Sequence, residues 1–159
     1  MDLVARRVTV NVIEYCTEEV ERQGHDIYTI DGIERVGWML NAWAYALGKD
    51  DERPFMGHAI QLGRLIEPDI NLHGIRTVGV RVGGRGCPQP ERILPQLTLL
   101  WEQRDILTPL EFYKAFEEVH PFVDGNGRTG KVLLNWLNGT LTQPIFPPGN
   151  LWGREIRNP

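Results

Sequence analysis

Cysteine, long apolar runs and excess basic charge are all scarce in this sequence. Only 2 of its 159 residues are cysteines, which excludes a disulfide scaffold and predicts reduced thiols at Cys16 and Cys87. No apolar run approaches the ~18 residues of a membrane-spanning helix, and the N-terminal segment lacks the apolar core of a signal peptide. We therefore expect a protein that makes no membrane contact and folds in the cytoplasm. Signal-independent export as an effector stays open.

The charge balance argues against nucleic acids as partners. The 17 Lys and Arg residues are outnumbered by 21 Asp and Glu, and the formal net charge is −4. Nucleic-acid binding depends on clustered basic charge, so none is expected. The hydrophobic fraction of 42% is ordinary for a globular protein. The length predicts one domain over residues 1–159, large enough to bury a core.

Helical periodicity dominates the chain and predicts a mostly α fold, a compact helical bundle. Thr29 or Asp31 can cap the second helix, whose apolar residues (Ile33, Val36, Trp38, Met39, Leu40, Trp43, Leu47) cover so much of its surface that we expect it at the centre. Thr108 to Glu111 forms a capping box, and the helix that starts there must end by His120 because Pro121 follows. The predicted helical segments are residues 3–23, 29–48, 54–66, 90–104, 109–120 and 126–137. The proline-rich tail, residues 139–159 with Trp152, predicts an irregular strap.

One segment alternates instead. In residues 76–84, Val78, Val80 and Val82 fall on one face, and Gly83-Gly84 ends the run. This pattern predicts a strand that enters a tight turn, the start of a small β-hairpin. The glycine cluster from Gly83 to Gly86 is also compatible with a second phosphate loop, but a hairpin turn is the better interpretation.

Residues 120–131 read HPFVDGNGRTGK and lie between two predicted helices. Gly125 and Gly127 allow a backbone close to a phosphate, at a helix N-terminus whose free N–H groups attract anions. The Asn126 amide can donate to a phosphoryl oxygen. Arg128 and Lys131 are three positions apart, so both can face one polyphosphate. The run therefore predicts a phosphate-binding loop.

The same run contains groups suited to proton transfer and metal binding. His120 ends the preceding helix, where a neutral imidazole could take the proton of an attacking hydroxyl. Asp124 offers an oxygen ligand for Mg²⁺ beside the phosphates. Phe122 is the expected apolar anchor of the loop. Each residue alone has an ordinary structural explanation; the prediction depends on their conjunction at this spacing.

This run resembles the signature of the Fic family, whose members transfer part of a nucleotide to a protein hydroxyl. The resemblance extends over residues 29–140, since Fic proteins are compact helical domains with a β-hairpin, called the flap, upstream of the signature. It implies that residues 76–84 form the flap and bind the target as an added strand. The target-binding positions implied here are Thr77, Val78, Gly79, Val80 and Arg81.

The resemblance also implies roles in the loop. His120 is expected to deprotonate a Ser, Thr or Tyr hydroxyl of a target protein, and Asp124 to hold Mg²⁺ on the phosphates of ATP or another nucleoside triphosphate. Gly125 to Gly127 are expected to surround the transferred phosphoryl group, with Arg128 on the outer phosphates. The implied activity is AMP transfer, with ATP as co-substrate.

Lys131 departs from the family pattern, because an arginine is usual there. Lysine keeps the charge and loses the bidentate fork. Three interpretations stay open: ATP held less firmly, another donor (for UMP, GMP, phosphocholine or phosphate transfer), or a partly disabled enzyme. A non-enzymatic module that binds a nucleotide is a further alternative. Metal-dependent phosphoester hydrolysis fits less well, since Asp124 is the only carboxylate in the loop.

Many family members carry or bind an inhibitory helix with a Ser/Thr-x-x-x-Glu-Gly/Asn motif. Thr17 and Glu21 have this spacing, but Arg22 follows in place of the small residue. We therefore expect a solvated acidic face here. Control would be absent or supplied by a separate inhibitory, antitoxin-like protein. A pair between Glu21 and Lys131 is the minor alternative.

Overall fold

The computed structural model describes residues 8–149 of the chain. In this range six helices and one two-stranded antiparallel hairpin follow in order: α1 (Val10–Arg22), α2 (Ile30–Leu47), α3 (Met56–Ile66), β1 (Arg81–Val82), β2 (Arg85–Gly86), α4 (Pro90–Glu102), α5 (Pro109–Val119) and α6 (Asn126–Asn138). The mostly α prediction is confirmed. Residues 3–7 of the first predicted helix, and 150–159 of the tail with Trp152, lie outside the described residues. No helix within 8–149 is long and apolar enough to cross a bilayer.

Local capping explains where the helices begin and end. Thr29, and not Asp31, caps α2 by accepting from the Gly32 N–H. Thr108 and Glu111 form the predicted capping box of α5, which satisfies two backbone donors that the helix leaves free. α5 ends at Val119, and His120 follows in the left-handed region with φ 52° and ψ 62°. The helix boundary thus directly sets the backbone of the candidate catalytic residue.

The core lies between α2 and α6. α2 packs against α1, α3 and α6, and α6 also packs against α3 and α5. Met39, Trp43 and Leu47 of α2 are fully buried, whereas Ile33 is 59% exposed, so the predicted apolar coverage of α2 is wrong at its N-terminal turn. Fully burying such an apolar side chain stabilises the fold by about 1.5–3 kcal/mol. α6 is buried from Asn126 to Trp136 apart from Gly127. The candidate phosphate loop therefore leads directly into a helix that is shielded from solvent along most of its length.

Three tryptophan side chains connect the helices to the loops. The indole N–H of Trp43 donates to the Leu141 carbonyl oxygen, that of Trp101 to Pro54, and that of Trp136 to Glu52. A buried indole needs a hydrogen-bond partner, so each bond also positions a connecting segment. The first bond attaches the start of the tail to the core.

The predicted strand over residues 76–84 is wrong in extent. Only residues 81–82 and 85–86 are paired, with Arg81 opposite Gly86 and Val82 opposite Arg85, while residues 77–80 are bent or irregular. The turn itself agrees with the prediction, since Gly83 and Gly84 have φ of 55° and 80°, as a two-residue hairpin turn requires. The alternation failed because Arg76 turns inward: it is 3% exposed.

Candidate functional site

The loop between α5 and α6 holds its shape through bonds from its own residues. Phe122 is buried, and its ring occupies the space where a Cβ on Gly63 of α3 would lie. The Phe122 N–H donates to Asn126 Oδ1, and Asn126 Nδ2 donates to the Phe122 carbonyl oxygen, both at 2.9 Å. In this structure the amide closes the loop, and its use on a phosphoryl oxygen stays a prediction. Asn71 supports the same loop from outside by donating to the Asp124 carbonyl oxygen.

The N-terminus of α6 matches the requirements of an anion site. Gly125 is the N-cap, with φ 77°, and no side chain caps the first turn. A Cβ at Gly125 would lie 2.7 Å from a methyl carbon of Ile66, so both the conformation and the space require glycine. Because no side chain caps this turn, its backbone N–H groups are available to a ligand or to solvent.

Arg128 is buried beneath this turn and is only partly paired. Its Nη2 donates to Glu67 Oε1 at 2.8 Å, and Arg35 Nε donates to the same oxygen at 2.9 Å. Asp124 Oδ1 lies 3.6 Å from Arg128 Nη2. Nε and Nη1 of Arg128 have no partner, although both atoms are buried. Buried guanidinium donors without acceptors are costly, so these two nitrogens are suited to receive an anionic ligand.

Lys131 points into the core and pairs with Glu19 of α1. Its Nζ lies 2.8 Å from Glu19 Oε1 and 3.4 Å from the Tyr113 hydroxyl. Gln23 also donates to Glu19 Oε1, at 2.7 Å. Glu21 is exposed, so the alternative pair of Glu21 with Lys131 is wrong; the carboxylate comes from a position two residues earlier. Lys131 is thus engaged within the protein and does not share an open surface with Arg128.

A second carboxylate approaches the same lysine. Glu117 Oε1 and Glu19 Oε2 are buried without a hydrogen-bond partner. Burial raises the pKa of Glu117 to about 7, a shift that Lys131 opposes and Glu19 reinforces. Two carboxylates therefore compete for one ammonium group, which favours a neutral Glu117 while Glu19 holds the lysine.

The surroundings of His120 keep its imidazole uncharged. Desolvation, followed by the nearby Arg76 charge, lowers the pKa of His120 to about 4. Arg76 Nε donates to the His120 carbonyl oxygen at 2.8 Å, and the Arg76 N–H donates to the Pro121 carbonyl oxygen at 2.9 Å. A non-glycine residue in the left-handed region is strained. These bonds to its backbone help to hold that conformation.

The same guanidinium holds the hairpin. Its Nη1 donates to the Val78 carbonyl oxygen at 2.9 Å and its Nη2 to that of Pro88 at 2.7 Å. Among the predicted target-binding positions, Thr77, Val78, Gly79 and Arg81 are exposed and Val80 is half-buried. The Arg81 guanidinium donates to the Gly84 carbonyl oxygen, and the Val80 carbonyl oxygen accepts from the Cys87 N–H at 3.2 Å. The hairpin and the histidine are therefore joined through Arg76.

Asp124 provides one carboxylate at the mouth of the loop. Its side chain is 48% exposed, and Oδ1 accepts from the Gly125 N–H at 2.7 Å. Within residues 8–149 no cluster of three His, Cys, Asp or Glu side chains could hold a metal alone. A half-exposed single carboxylate fits Mg²⁺, which commonly keeps waters and takes substrate phosphates as its other ligands.

Comparison with known proteins places the chain in a family. A model of the Fic/DOC family matches residues 55–138. The chain is 34% identical over 108 residues to the protein adenylyltransferase Fic of Nematostella vectensis, covering 60% of this chain and 22% of that protein. It is 36% identical over 70 residues to a probable protein adenylyltransferase of Aquifex aeolicus (strain VF5), covering 37% of this chain and 22% of that protein. Since the family model spans more than half of the chain, the chain belongs to the Fic/DOC family, and the resemblance seen in the sequence is confirmed.

Sequence reasoning missed the residues that support the loop: Glu19, Glu67, Asn71, Arg76 and Glu117. Glu19 and Glu117 left a usable signal. Each falls on the same helical face as the apolar residues of its helix, α1 or α5, and a charged residue inside such a stripe needs a buried partner. The others carry no local pattern, because their partners come from distant parts of the chain.

Proposed function

We propose that this protein is a protein nucleotidyltransferase of the AMP-transferring type. The donor would be a nucleoside triphosphate, with ATP expected, and the acceptor a Ser, Thr or Tyr hydroxyl on a target protein, in a cytoplasmic setting. The family membership and the adenylyltransferase names of two relatives support this reaction class. The matched part spans less than a quarter of each relative, so the activity, co-substrate and target are inferred for this chain from its own residues.

His120 would begin the reaction. The neutral imidazole takes the proton as the hydroxyl oxygen forms a bond to the α-phosphorus, and the bond from that phosphorus to the bridging oxygen of pyrophosphate breaks. Its lowered pKa keeps it unprotonated at neutral pH, the state that a general base needs. The first turn of α6 and Arg128 would stabilise the charge that develops on the phosphates.

The observation that carries the proposal is the state of Arg128. Two of its guanidinium nitrogens are buried and unpaired, at the N-terminus of the helix that directly follows the His120 loop. Within residues 8–149, Nε and Nη1 of Arg128 bond neither to solvent nor to an acceptor of the protein. Phosphate oxygens would satisfy both and bring charge balance. A purely structural arginine would be expected to have its donors bonded.

Mg²⁺ fits the half-exposed carboxylate of Asp124. When bound there with a nucleotide, it would neutralise phosphate charge. Asp124 would hold it, while the Gly125 N–H that donates to Asp124 Oδ1 keeps the carboxylate oriented toward the mouth of the loop.

The Glu19–Lys131 pair favours a second candidate, a low-activity nucleotide-binding module. A lysine held by Glu19 cannot bind a terminal phosphate, so α1 would oppose productive binding and the resting chain would transfer slowly. A separate inhibitory protein is then not required, although one could act through α1. Another donor, for UMP, GMP, phosphocholine or phosphate transfer, is the remaining possibility at a site with lysine in this place.

The test is label transfer from α-³²P-labelled ATP, GTP, CTP and UTP, with Mg²⁺, to lysate proteins or to the chain itself, using wild type and His120→Ala. A parallel reaction with γ-³²P-labelled ATP identifies phosphate transfer. We expect α-label on protein only with wild type, and preferably from ATP. If the α-labelled nucleotides bind but label nothing in wild type or in a variant without the Glu19 carboxylate, the module is the better description.

A further inference from the structure

A polar groove lies beside the hairpin, outside the loop already described. Its volume is about 460 Å³. Side chains from β2, α4, α5 and the segment before α4 line it, and the charged or amide-bearing ones are Arg85, Gln89, Arg92, Gln96 and Glu118. The groove thus offers two guanidinium groups and two amides against a single carboxylate.

The groove is adjacent to His120. One guanidinium, that of Arg76, donates both to the His120 carbonyl oxygen at 2.8 Å and to the Pro88 carbonyl oxygen at 2.7 Å, and Pro88 lines the groove. Arg85 is also close enough for its charge to contribute to the lowered pKa of His120. A residue near the acceptor hydroxyl of a bound peptide can therefore reach the groove.

The two arginines of the groove are available to a ligand. Both side chains are exposed, and within residues 8–149 neither guanidinium makes a hydrogen bond or an ion pair with the protein. Arg81, by contrast, uses its guanidinium on the Gly84 carbonyl oxygen within the turn. Arg85 and Arg92 thus have no evident role in holding the hairpin together.

Charge is distributed unevenly around the site. Residues 76–92 contain the four arginines Arg76, Arg81, Arg85 and Arg92 and only one carboxylate, Glu91, in a chain with net charge −4. A local excess of one sign in a protein of the opposite sign favours a partner of complementary charge at that place. Glu118 on the wall disfavours a polyanion such as a nucleic acid, so a single carboxylate fits better.

We propose that this groove selects target proteins that carry an Asp or Glu side chain close to the modified hydroxyl, with Arg85 and Arg92 as the residues that bind it. The inference depends on the proposed function, because it names a feature of the substrate of that reaction. The hairpin would supply backbone contacts that tolerate any sequence, and the groove would add the preference for acidic side chains.

Binding is measured separately from transfer. The probes are fluorescein-labelled nine-residue peptides of Ala, Asn and Gly with a central Ser as the only hydroxyl, in which one Glu, Gln or Lys replaces each other position in turn. Fluorescence anisotropy with the whole chain should show, at one or two positions, affinity about tenfold higher for Glu than for Lys, with Gln between them. Equal affinities for Glu and Lys at every position, or binding of no peptide, would overturn the proposal.

Charge reversal identifies the groove as the cause. Arg92→Glu and Arg85→Glu should invert the preference toward Lys at the same positions. Arg53→Glu is the matched control, because it makes the same charge change at the exposed Arg53–Asp105 pair. Arg53 follows Glu52, whose carbonyl oxygen accepts from the Trp136 indole near the C-terminal end of α6. This variant should leave the preference for Glu unchanged. A preference for Glu that survives both groove variants would place the acidic contact elsewhere and contradict the proposal.

The peptide-binding result and the label-transfer result can be interpreted separately. If acidic peptides bind as expected but receive no α-³²P label, the proposed transfer fails and the groove stands as a peptide site. If all peptides are labelled equally and bind equally, the transfer stands and the acidic preference is wrong.

Discussion

Lys131 Nζ and Glu19 Oε1 are 2.8 Å apart, and both side chains are almost completely shielded from solvent, at 4% and 0% exposure. The contact joins the last residue of the run 120–131, which lies on α6, to α1. Burying two charges is compensated only by close pairing, so the pair attaches α1 to α6. The Glu19 carboxylate also holds the Lys131 ammonium group, which would otherwise be able to bind a phosphate.

Removing the Glu19 carboxylate should therefore increase transfer. In Glu19→Ala, Lys131 is free to meet phosphate, and we expect labelling from α-³²P-ATP to rise about tenfold, within the range of coupled sites. Glu21→Ala is the matched control, one exposed carboxylate on the same helix, and should leave the rate unchanged. Faster labelling by Glu21→Ala than by Glu19→Ala would contradict the role assigned to the Glu19–Lys131 pair.

The Glu19→Ala variant should also lose stability. It leaves a buried ammonium group with the Tyr113 hydroxyl and Glu117 but without its paired carboxylate, a change that costs about 3 kcal/mol in comparable buried pairs. Urea denaturation gives the loss, and ATP with Mg²⁺ should restore more stability to this variant than to wild type, since bound phosphate supplies the missing charge. Equal ligand stabilisation of both proteins would argue against phosphate contact with Lys131.

Arg76 should control the pH dependence of the reaction. A base whose pKa is lowered to about 4 stays neutral down to acidic pH, so wild-type activity is retained as pH falls from 7 to 5 and is lost only on approach to 4. In Arg76→Ala the charge that contributes to this shift is gone, and loss begins at higher pH. Arg76→Lys keeps the charge but not the three carbonyl contacts, so its acidic limit should stay low while its maximal rate falls. Profiles of rate against pH give the acidic limit and the maximal rate of each variant, and an NMR titration gives the pKa of His120.

Gly63 should be intolerant of a methyl group. A Cβ there would lie 2.3–2.6 Å from carbon atoms of the Phe122 ring, and such overpacking costs about 1–3 kcal/mol. Displacing Phe122 would also move the loop, so labelling should fall with stability. Gly57→Ala on the same helix meets no atom within 4 Å and should be neutral, or stabilising by about 0.5 kcal/mol. Thermal unfolding of the two variants gives the comparison.

Glu67 should be necessary for the position of Arg128. Glu67→Ala removes the buried carboxylate that is hydrogen-bonded to Arg128 and leaves only the half-exposed Asp124 at 3.6 Å, and we expect a loss of about 3–5 kcal/mol in the free energy of unfolding. Arg53→Ala, which removes an exposed pair, should change that free energy by less than about 1 kcal/mol. Denaturant titration distinguishes them, and near-equal losses would mean that the Arg128 pair contributes little.

The sequence by itself determined the local structure of the site. Thr108 and Glu111 start α5, Pro121 prevents its continuation, and Gly125 permits the left-handed entry into α6. Each of these effects acts within a few residues, through capping bonds or backbone sterics. For the same reason the order of helices and the glycine turn of the hairpin were predictable. The roles of His120, Asp124 and the loop glycines, and the single domain, stay predictions.

Only the tertiary structure decided which charges meet. Glu67 contacts Arg128 from 61 positions away, and Arg76 reaches His120 from 44. Periodicity indicates which face of a helix is buried, but it does not name the residue opposite that face, because partners at long range depend on how helices cross. The alternating pattern at residues 76–84 failed for this reason: a buried arginine satisfied by carbonyl oxygens of the His120 loop and the hairpin outweighed local strand preference.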